Sequence, residues 1–303
     1  MLDLSICIVN WNVETLLRQC LKSIFDSTKG VNLEVIVVDN NSNDNSVRMV
    51  KKEFPQVKLI ANHFNAGFTK ANNQAIMMAK GKYLLILNPD TEVIDNALKK
   101  MIEFMDSKHD CAALGPKLLN TDGSLQRSCR TFPTLENMFY SALFLDQLFP
   151  KSATFGKYFM TWWNFDSVRE VDQPMGSALM IRKDVLDKVG AFDENIFIWF
   201  DEVDLCYRIK KAGWKIFFTP DARIIHHLSQ SFKQWKSPLQ MIRGILIWRK
   251  SRNYFFRKHY GVLSVLMLWL IDLLQVSLII GVISLIFTTI AKVIAPHNKL
   301  WGI

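Results

Sequence analysis

The chain lacks any pairing pattern among its cysteines. Cys7, Cys20, Cys111, Cys129 and Cys206 are five scattered residues in 303, odd in number and without Cys-x-x-Cys spacing. That argues against a disulfide framework and for reduced thiols in a cytosolic setting. Internal repeats and low-complexity tracts are also missing. Met1-Leu2-Asp3 leads directly into a strand-like run, so no secretory leader is expected. At this length the chain holds one large or two modest domains with ample core.

A more local absence is acidic. No Asp or Glu occurs between Asp221 and Asp272, while Arg223, Lys233, Lys236, Arg243, Arg249, Lys250, Arg252, Arg257 and Lys258 fill that stretch and account for the net charge of +9. A basic run can bind nucleic acid. Here it is interleaved with Trp235, Trp248, Tyr254, Phe255, Phe256 and Tyr260 and runs into an apolar segment, so a membrane surface is the expected partner and nucleic acid is not. Val262–Ala291 carries a single charge, Asp272, and Leu273 to Ala291 carries none. About twenty apolar residues suffice to cross a bilayer, so a spanning or deeply inserted helix is expected, with a buried C-terminal helix as the alternative. The basic flank then places the preceding domain on the cytoplasmic face of the membrane.

What is present in the first half is alternation. Leu4–Val9, Leu33–Val38, Val57–Ala61 and Tyr83–Leu87 read as strands. Val13–Ser27 has apolar residues at helical spacing, Asp44 can cap a helix running to Phe54, and Thr69–Ala79 reads as a third helix closed by Gly81. Continuous apolar strands alternating with helices predict an α/β fold with a mostly parallel sheet covered by helices. Residues 120–172 are less informative: Thr121–Ser124 reads as a hairpin turn and Leu135–Phe149 as amphipathic.

Polar clusters stand where strands end. In an open α/β sheet, ligands bind beyond the carboxyl edge. Asp39-Asn40-Asn41-Ser42 follows the second strand, where a carboxylate can accept hydrogen bonds from a base or ribose; a plain turn and cap is the simpler reading. Asn88-Pro89-Asp90 follows the fourth, because proline breaks the ladder and leaves an exposed carboxylate able to hold a divalent cation. A third cluster, Asp201-Glu202-Val203-Asp204, follows Phe197-Ile198-Trp199-Phe200. Acids there suit a helix N-terminus and Asp204 can pair with Arg208; desolvated by aromatic neighbours, they also suit a general base.

Together these residues resemble the inverting nucleotide-sugar glycosyltransferases of the large family 2 with the GT-A (Rossmann-like) fold, which includes bacterial rhamnosyltransferases of surface polysaccharide assembly. The likeness runs from about Leu4 to Gly261. It implies donor-binding roles for Asn10, Asp39, Asn41, Asn65, Gly67, Phe68, Asn72, Asn88 and Asp90. It implies acceptor-side roles for Gly176, Ser177, Trp199 and Asp204. Asn88-Pro89-Asp90 resembles the family's DxD metal motif, which implies Mg²⁺ or Mn²⁺ on Asp90, and the strand ending at His226-His227 resembles one whose histidine completes that site, with His226 in register. The segment FDEVDLC inverts the family's usual Glu-Asp order, so the base position carries Glu202 with Asp201 as its rival.

The implied reaction is a single displacement that moves one sugar, with rhamnose a candidate, from a dTDP- or UDP-linked donor to a surface-glycan or lipid-linked acceptor. The implied division is a catalytic domain over 1–240 (donor half 1–119, acceptor half 120–240), a basic aromatic segment over 241–261, a membrane helix over 262–291 and a tail over 292–303. A nucleotidyltransferase shares the carboxylates but would release pyrophosphate. A non-catalytic membrane scaffold would bind donor without turnover. The Gln-x-x-Arg-Trp motif of processive synthases is absent, since Gln240 and Arg243 are followed by Gly244.

Overall fold

The structure, a computed structural model, describes residues 2–227 and 237–294. Lys233, Trp235 and Lys236 of the basic run, and the end of the tail, lie outside the described residues. Along the first half run β1 (Leu4–Asn10), α1 (Glu14–Ser27), β2 (Leu33–Asp39), α2 (Ser46–Glu53), β3 (Lys58–Ala61), α3 (Phe68–Met78), β4 (Tyr83–Leu87), β5 (Thr91–Val93) and α4 (Ala97–Ser107). There follow β6 (Cys111–Leu119), β7 (Leu125–Gln126), β8 (Cys129–Arg130), α5 (Leu135–Ala142), α6 (Leu145–Leu148), β9 (Arg169–Glu170), β10 (Gln173–Pro174), β11 (Ala178–Arg182), α7 (Lys183–Val189) and α8 (Asp201–Lys211). The chain ends with β12 (Lys215–His226), α9 (Pro238–Tyr260) and α10 (Val262–Ile294).

The main sheet has the order β3-β2-β1-β4-β11-β6-β12-β5. Its first four strands are parallel, β11 is antiparallel to both neighbours, and β12 runs parallel to β6. Because alternate strand residues face opposite sides, Leu4, Ile6 and Ile8 enter one core beneath α1 and α4, while Cys7 and Val9 enter the other beneath α3. Leu17, Cys20, Leu21 and Ile24 fall on one stripe of α1 and are buried. Carboxyl ends of β1, β2 and β4 therefore come to one edge, with Asn10 opposite Asp39 in register.

The alternation reads through faithfully, and the departures are local. Helix α2 starts at Ser46 with Asn45 rather than Asp44 as its N-cap, and Asp44, one position earlier, accepts from the Ser46 N–H and hydroxyl. The amphipathic run 135–149 is broken into α5 and α6 because Phe144 adopts a left-handed φ of 58°. All five cysteines are free and buried.

A third apolar cluster joins the C-terminal helices to the sheet-bearing part of the chain. Met138, Tyr158, Phe200, Val203, Phe255, Phe256 and Leu268 pack together, so α5, α8, α9 and the first turns of α10 share one core. Asp272 on α10 accepts two hydrogen bonds from the Arg252 guanidinium of α9, at 2.9 and 2.8 Å, and Arg249 lies at 3.5 Å. A buried guanidinium needs such a forked partner, which accounts for the lone charge in the apolar run. Helix α9 passes unbroken through the 240/241 boundary expected from the sequence. Val262–Ser284 is long and apolar enough to cross a membrane, with mean hydropathy 2.3 and only 11% buried. That exposure departs from a buried core helix.

Candidate active site

A cleft of about 990 Å³ opens at the carboxyl edge of the parallel strands. Its wall includes Trp11, Asn40, Asn65, Gly67 and Phe68 on the β1–β3 side, and Asn88, Pro89 and Asp90 after β4. Facing them are Met175-Gly176-Ser177, Trp199, Asp201 and Glu202, with His226 at the end of β12. The volume is that of a small-molecule site.

Loops after β1 and β2 are laced together. The Asn10 amide donates to Asp39 Oδ1 at 2.8 Å, the Ser42 N–H donates to Asp39 Oδ2 at 2.9 Å, and the Ser42 hydroxyl accepts from the Asn12 N–H. Asp39 is consequently 2% exposed and stands behind the wall, and Asn40 faces the cleft in its place. The Asn40 amide donates to Asn65 Oδ1 at 3.0 Å and its carbonyl accepts from the Ala66 N–H at 2.9 Å, holding the next loop. Gly67 has φ +86°, and a Cβ there would lie 2.5 Å from the Phe197 ring. Only glycine fits.

Asp90 and His226 meet across the cleft floor. The Asn88 N–H donates to the Ser177 carbonyl at 2.9 Å, fixing the turn that carries Asp90 against the small-residue stretch. His226 Nε2 stands 3.4 Å from Asp90 Oδ1, and both residues are about 5% exposed. Gln126 sets the imidazole. Its amide nitrogen donates to Asn120 Oδ1 and to the His226 carbonyl, so its oxygen faces His226 Nδ1 at 2.6 Å and must accept from it. In its neutral form the ring turns the Nε2 lone pair toward Asp90, and Nε2 is buried with no hydrogen bond among the described residues. A lone pair and a carboxylate so placed repel unless a cation or proton lies between them. His227 faces elsewhere, with Nε2 at 2.6 Å from Glu92.

Opposite, the chain reaches α8 through two successive left-handed residues, Trp199 (φ 60°) and Phe200 (φ 64°). Strain of this kind is held by surrounding packing and aims the first helical turn into the cleft. Burial, together with the adjacent Glu202 charge, raises the Asp201 carboxyl well above its ordinary range. Burial also raises Glu202, opposed by the nearby Arg130 charge. Glu202 is the more accessible of the two, since Asp201 is 3% exposed. Both adjacent carboxyls therefore hold a proton more readily than an exposed acid does. Gly176 makes room for that side chain, because a Cβ there would lie 3.3 to 3.6 Å from Glu202 carbons.

Besides Asp39, four residues expected in the site do not line it. Asp204 is 0% exposed and tied to Arg208 at 2.8 Å, Lys258 at 2.7 Å and His259 at 2.7 Å, which corrects its acceptor-side role to a packing one. Burial alone would raise its pKa, but hydrogen bonds from His259 and Lys258 and the Arg208 charge hold it well below the carboxylate range. Asn72 is fully buried and donates to the Phe68 carbonyl, Asn10 is buried beneath the β1 loop, and Asn41 is exposed at a left-handed corner, so none of the three is in the wall. Sequence reasoning missed Asn40, Gln126 and Arg130. Gln240 and Arg243 of α9 also face the cleft, and their only signal was the spacing of an incomplete synthase motif.

Comparisons with known proteins agree with this fold. The family described as "Glycosyl transferase family 2" matches residues 5–171. Among curated relatives, an N-acetylglucosaminyl-diphospho-decaprenol L-rhamnosyltransferase of Mycobacterium tuberculosis is 27% identical over 214 residues, 66% of this chain and 68% of that protein. Rhamnosyltransferase WbbL of Escherichia coli is 28% identical over 171 residues, 53% of this chain and 61% of that protein. The solved structure of GalNAc-T7 with UDP, GalNAc and Mn²⁺ superposes with a TM-score of 0.58 at 18% identity, covering 84% of this chain and 50% of that one. The chain belongs to glycosyl transferase family 2 and has the GT-A fold.

Proposed function

We propose that this protein is a metal-dependent inverting glycosyltransferase that moves one sugar from a nucleotide donor to a lipid-linked glycan intermediate. The observation that carries this reading is that one cleft holds both the Asp90–His226 pair and the Asp201–Glu202 pair. Asp90 and His226 fit a divalent cation that keeps open positions for phosphate oxygens, since oxygen and imidazole are suitable ligands and the His226 lone pair is otherwise unused. Gln126 is the outer partner that orients the ring. A bound cation supplies charge neutralisation to the departing diphosphate.

The chain's own groups do the rest. Asn40, Asn65, Gly67 and Phe68 form the wall against which the nucleoside lies, with Asp39 bracing Asn40 from behind. Glu202 accepts the proton of the acceptor hydroxyl as that oxygen attacks the anomeric carbon, and the nucleoside diphosphate leaves from the opposite face. Asp201 carries the proton that the two carboxyls share, which leaves Glu202 anionic. Trp199 and Met175-Gly176-Ser177 shape the acceptor side. Helix α10 anchors the enzyme, and the basic residues of α9 hold it to the cytoplasmic face of the bacterial plasma membrane.

The named relatives favour rhamnose as the sugar and a diphospholipid-linked N-acetylhexosamine as the acceptor. Full-length protein in nanodiscs, given dTDP-L-rhamnose, Mg²⁺ or Mn²⁺ and a polyprenyl-diphosphate-linked N-acetylglucosamine, is expected to yield a disaccharide lipid of inverted anomeric configuration and dTDP. Release of pyrophosphate would indicate a nucleotidyltransferase. Donor binding without turnover across a panel of nucleotide sugars would indicate a scaffold.

A further inference from the structure

Helix α9 carries two incompatible faces. Gln240, Arg243 and Ile247, spaced i, i+3, i+7, line the cleft. Leu239, Ile242, Ile245 and Leu246 point away from it and are 78, 53, 56 and 60% exposed. Gly244 and Ser251 are buried on a third side, where the Ser251 hydroxyl donates to the Ile198 carbonyl at 2.8 Å, just before the strained Trp199-Phe200 pair. A soluble helix does not leave four large aliphatic residues in water beside its own active site. The covering most consistent with this surface is lipid. It continues into α10 through exposed Leu263, Leu266 and Leu270, and it carries Arg249, Lys250 and Arg257 with no acidic residue on α9.

The inner face has an unmatched charge. Among the described residues neither Arg243 nor Arg130 forms an ion pair with a carboxylate, yet both line the cleft, and the Arg130 charge reaches Glu202. Arg130 is held over the Tyr158 and Phe159 rings, 5.9 and 5.3 Å from their centres, which fixes its head without neutralising it. In the proposed function the donor diphosphate is served at Asp90 and His226, which stand 3.4 Å apart. Arg127 also lines the cleft but is tied to the Met160 and Trp163 carbonyls; the two remaining guanidinium groups, Arg130 near Glu202 and Arg243 on a helix with an exposed apolar back, match a second anion that arrives from the membrane.

We propose that α9 lies along the membrane surface and reads the diphosphate of a lipid-linked acceptor through Arg243, with Gln240 and Arg130 completing the anion site. This rests on the proposed glycosyl transfer and deepens it, because it makes the acceptor's phosphate link, rather than its sugar alone, the recognised feature. Guanidinium groups are suited to such an anion because they donate in a fixed fork. Occupation also neutralises Arg130 beside Glu202, so the base gains proton affinity when its acceptor is in place.

The test uses full-length protein in nanodiscs with dTDP-L-rhamnose and two acceptors, N-acetylglucosamine on a polyprenyl diphosphate and the same sugar on a neutral alkyl chain. The expected result is that Arg243→Ala raises KM for the diphosphate acceptor about tenfold or more while KM for the neutral acceptor and for the donor stays within about twofold, and that Arg243→Lys recovers part of the loss. An equal rise in donor KM would assign Arg243 to the leaving group and overturn the proposal. So would equal effects on the two acceptors. Wild-type turnover of both acceptors without discrimination defeats this proposal alone, whereas wild-type turnover of neither, with any nucleotide sugar, defeats the proposed function and this inference with it.

Discussion

His226 Nε2 faces Asp90 Oδ1 at 3.4 Å with its other ring nitrogen committed to Gln126. Two electron-rich atoms held in that register by β12 and the turn after β4 are poised for a cation.

Metal affinity should therefore depend on three residues. Asp90→Asn is expected to abolish transfer and remove the cation dependence of donor binding. His226→Ala and Gln126→Ala should each weaken Mn²⁺ affinity, the latter by about 10- to 100-fold as a partner that touches only the ligand. Calorimetric titration of Mn²⁺ with UDP or dTDP present checks this, and undiminished wild-type activity in EDTA would contradict it.

Asp204 should matter for stability. Its folded-state pKa is depressed, so its contribution is present at neutral pH and is lost as pH falls below the unfolded carboxylate value toward the folded one. Asp204→Asn leaves Arg208, Lys258 and His259 without their shared anion and is expected to cost about 3–5 kcal/mol, the usual consequence of breaking a buried pair. Thermal unfolding at pH 7 and at about pH 2.5, below the unfolded carboxylate value, should show the difference between variant and wild type shrinking in acid.

Gly67→Ala combines a left-handed φ with a clash against Phe197. A loss of about 1–3 kcal/mol and a marked rise in donor KM are expected together, because Phe197 also lines the cleft. Unchanged donor KM would mean that the 192–200 segment does not brace the donor loop.

Membrane attachment should divide between charge and anchor. Of the six Lys and Arg between Arg243 and Lys258, Arg252 is committed to Asp272, and Lys258 to Asp193 and Asp204. Neutralising Arg249, Lys250 and Arg257 is expected to make vesicle binding weaker and less sensitive to salt. Deleting residues 273–303 should release the protein while sparing the fold, whereas cutting at Val262 also removes Leu268 and Asp272 from their packing and should destabilise it. Retention of the 273–303 deletion on neutral vesicles at high salt would contradict the anchor.

The α/β plan was legible because buried parallel strands write themselves as unbroken apolar runs, as in Leu4–Val9 and Leu33–Val38. The ends of those strands named the cleft for the same reason. Side-chain direction was not legible. Asp39 and Asn40 are neighbours, and only the lacing by Asn10 and Ser42 decides which one faces the ligand. Asp204 shares the first turn of α8 with Glu202 but points to the opposite side, toward α9, a contact 55 residues away in sequence. Arg130 sits on a short strand set by a distant partner, β10, and Gln126 follows a legible hairpin turn but meets His226 100 residues away, so no local pattern announced either role. Asp272 looked anomalous until Arg252 was placed beside it.

The central claim is that Glu202 is the base of a single displacement while Asp201 holds the shared proton. Single-turnover transfer by Glu202→Gln and Asp201→Asn, with donor affinity measured in parallel, tests it most directly. Glu202→Gln should keep donor affinity and lose about 10²- to 10⁴-fold in rate. Asp201→Asn, which mimics a protonated Asp201, should cost less and leave the acid limb of the wild-type pH profile in place above the ordinary glutamate range, because burial rather than an Asp201 charge raises Glu202. An inactive Asp201→Asn beside a Glu202→Gln of near-normal rate would contradict the account and make Asp201 the base.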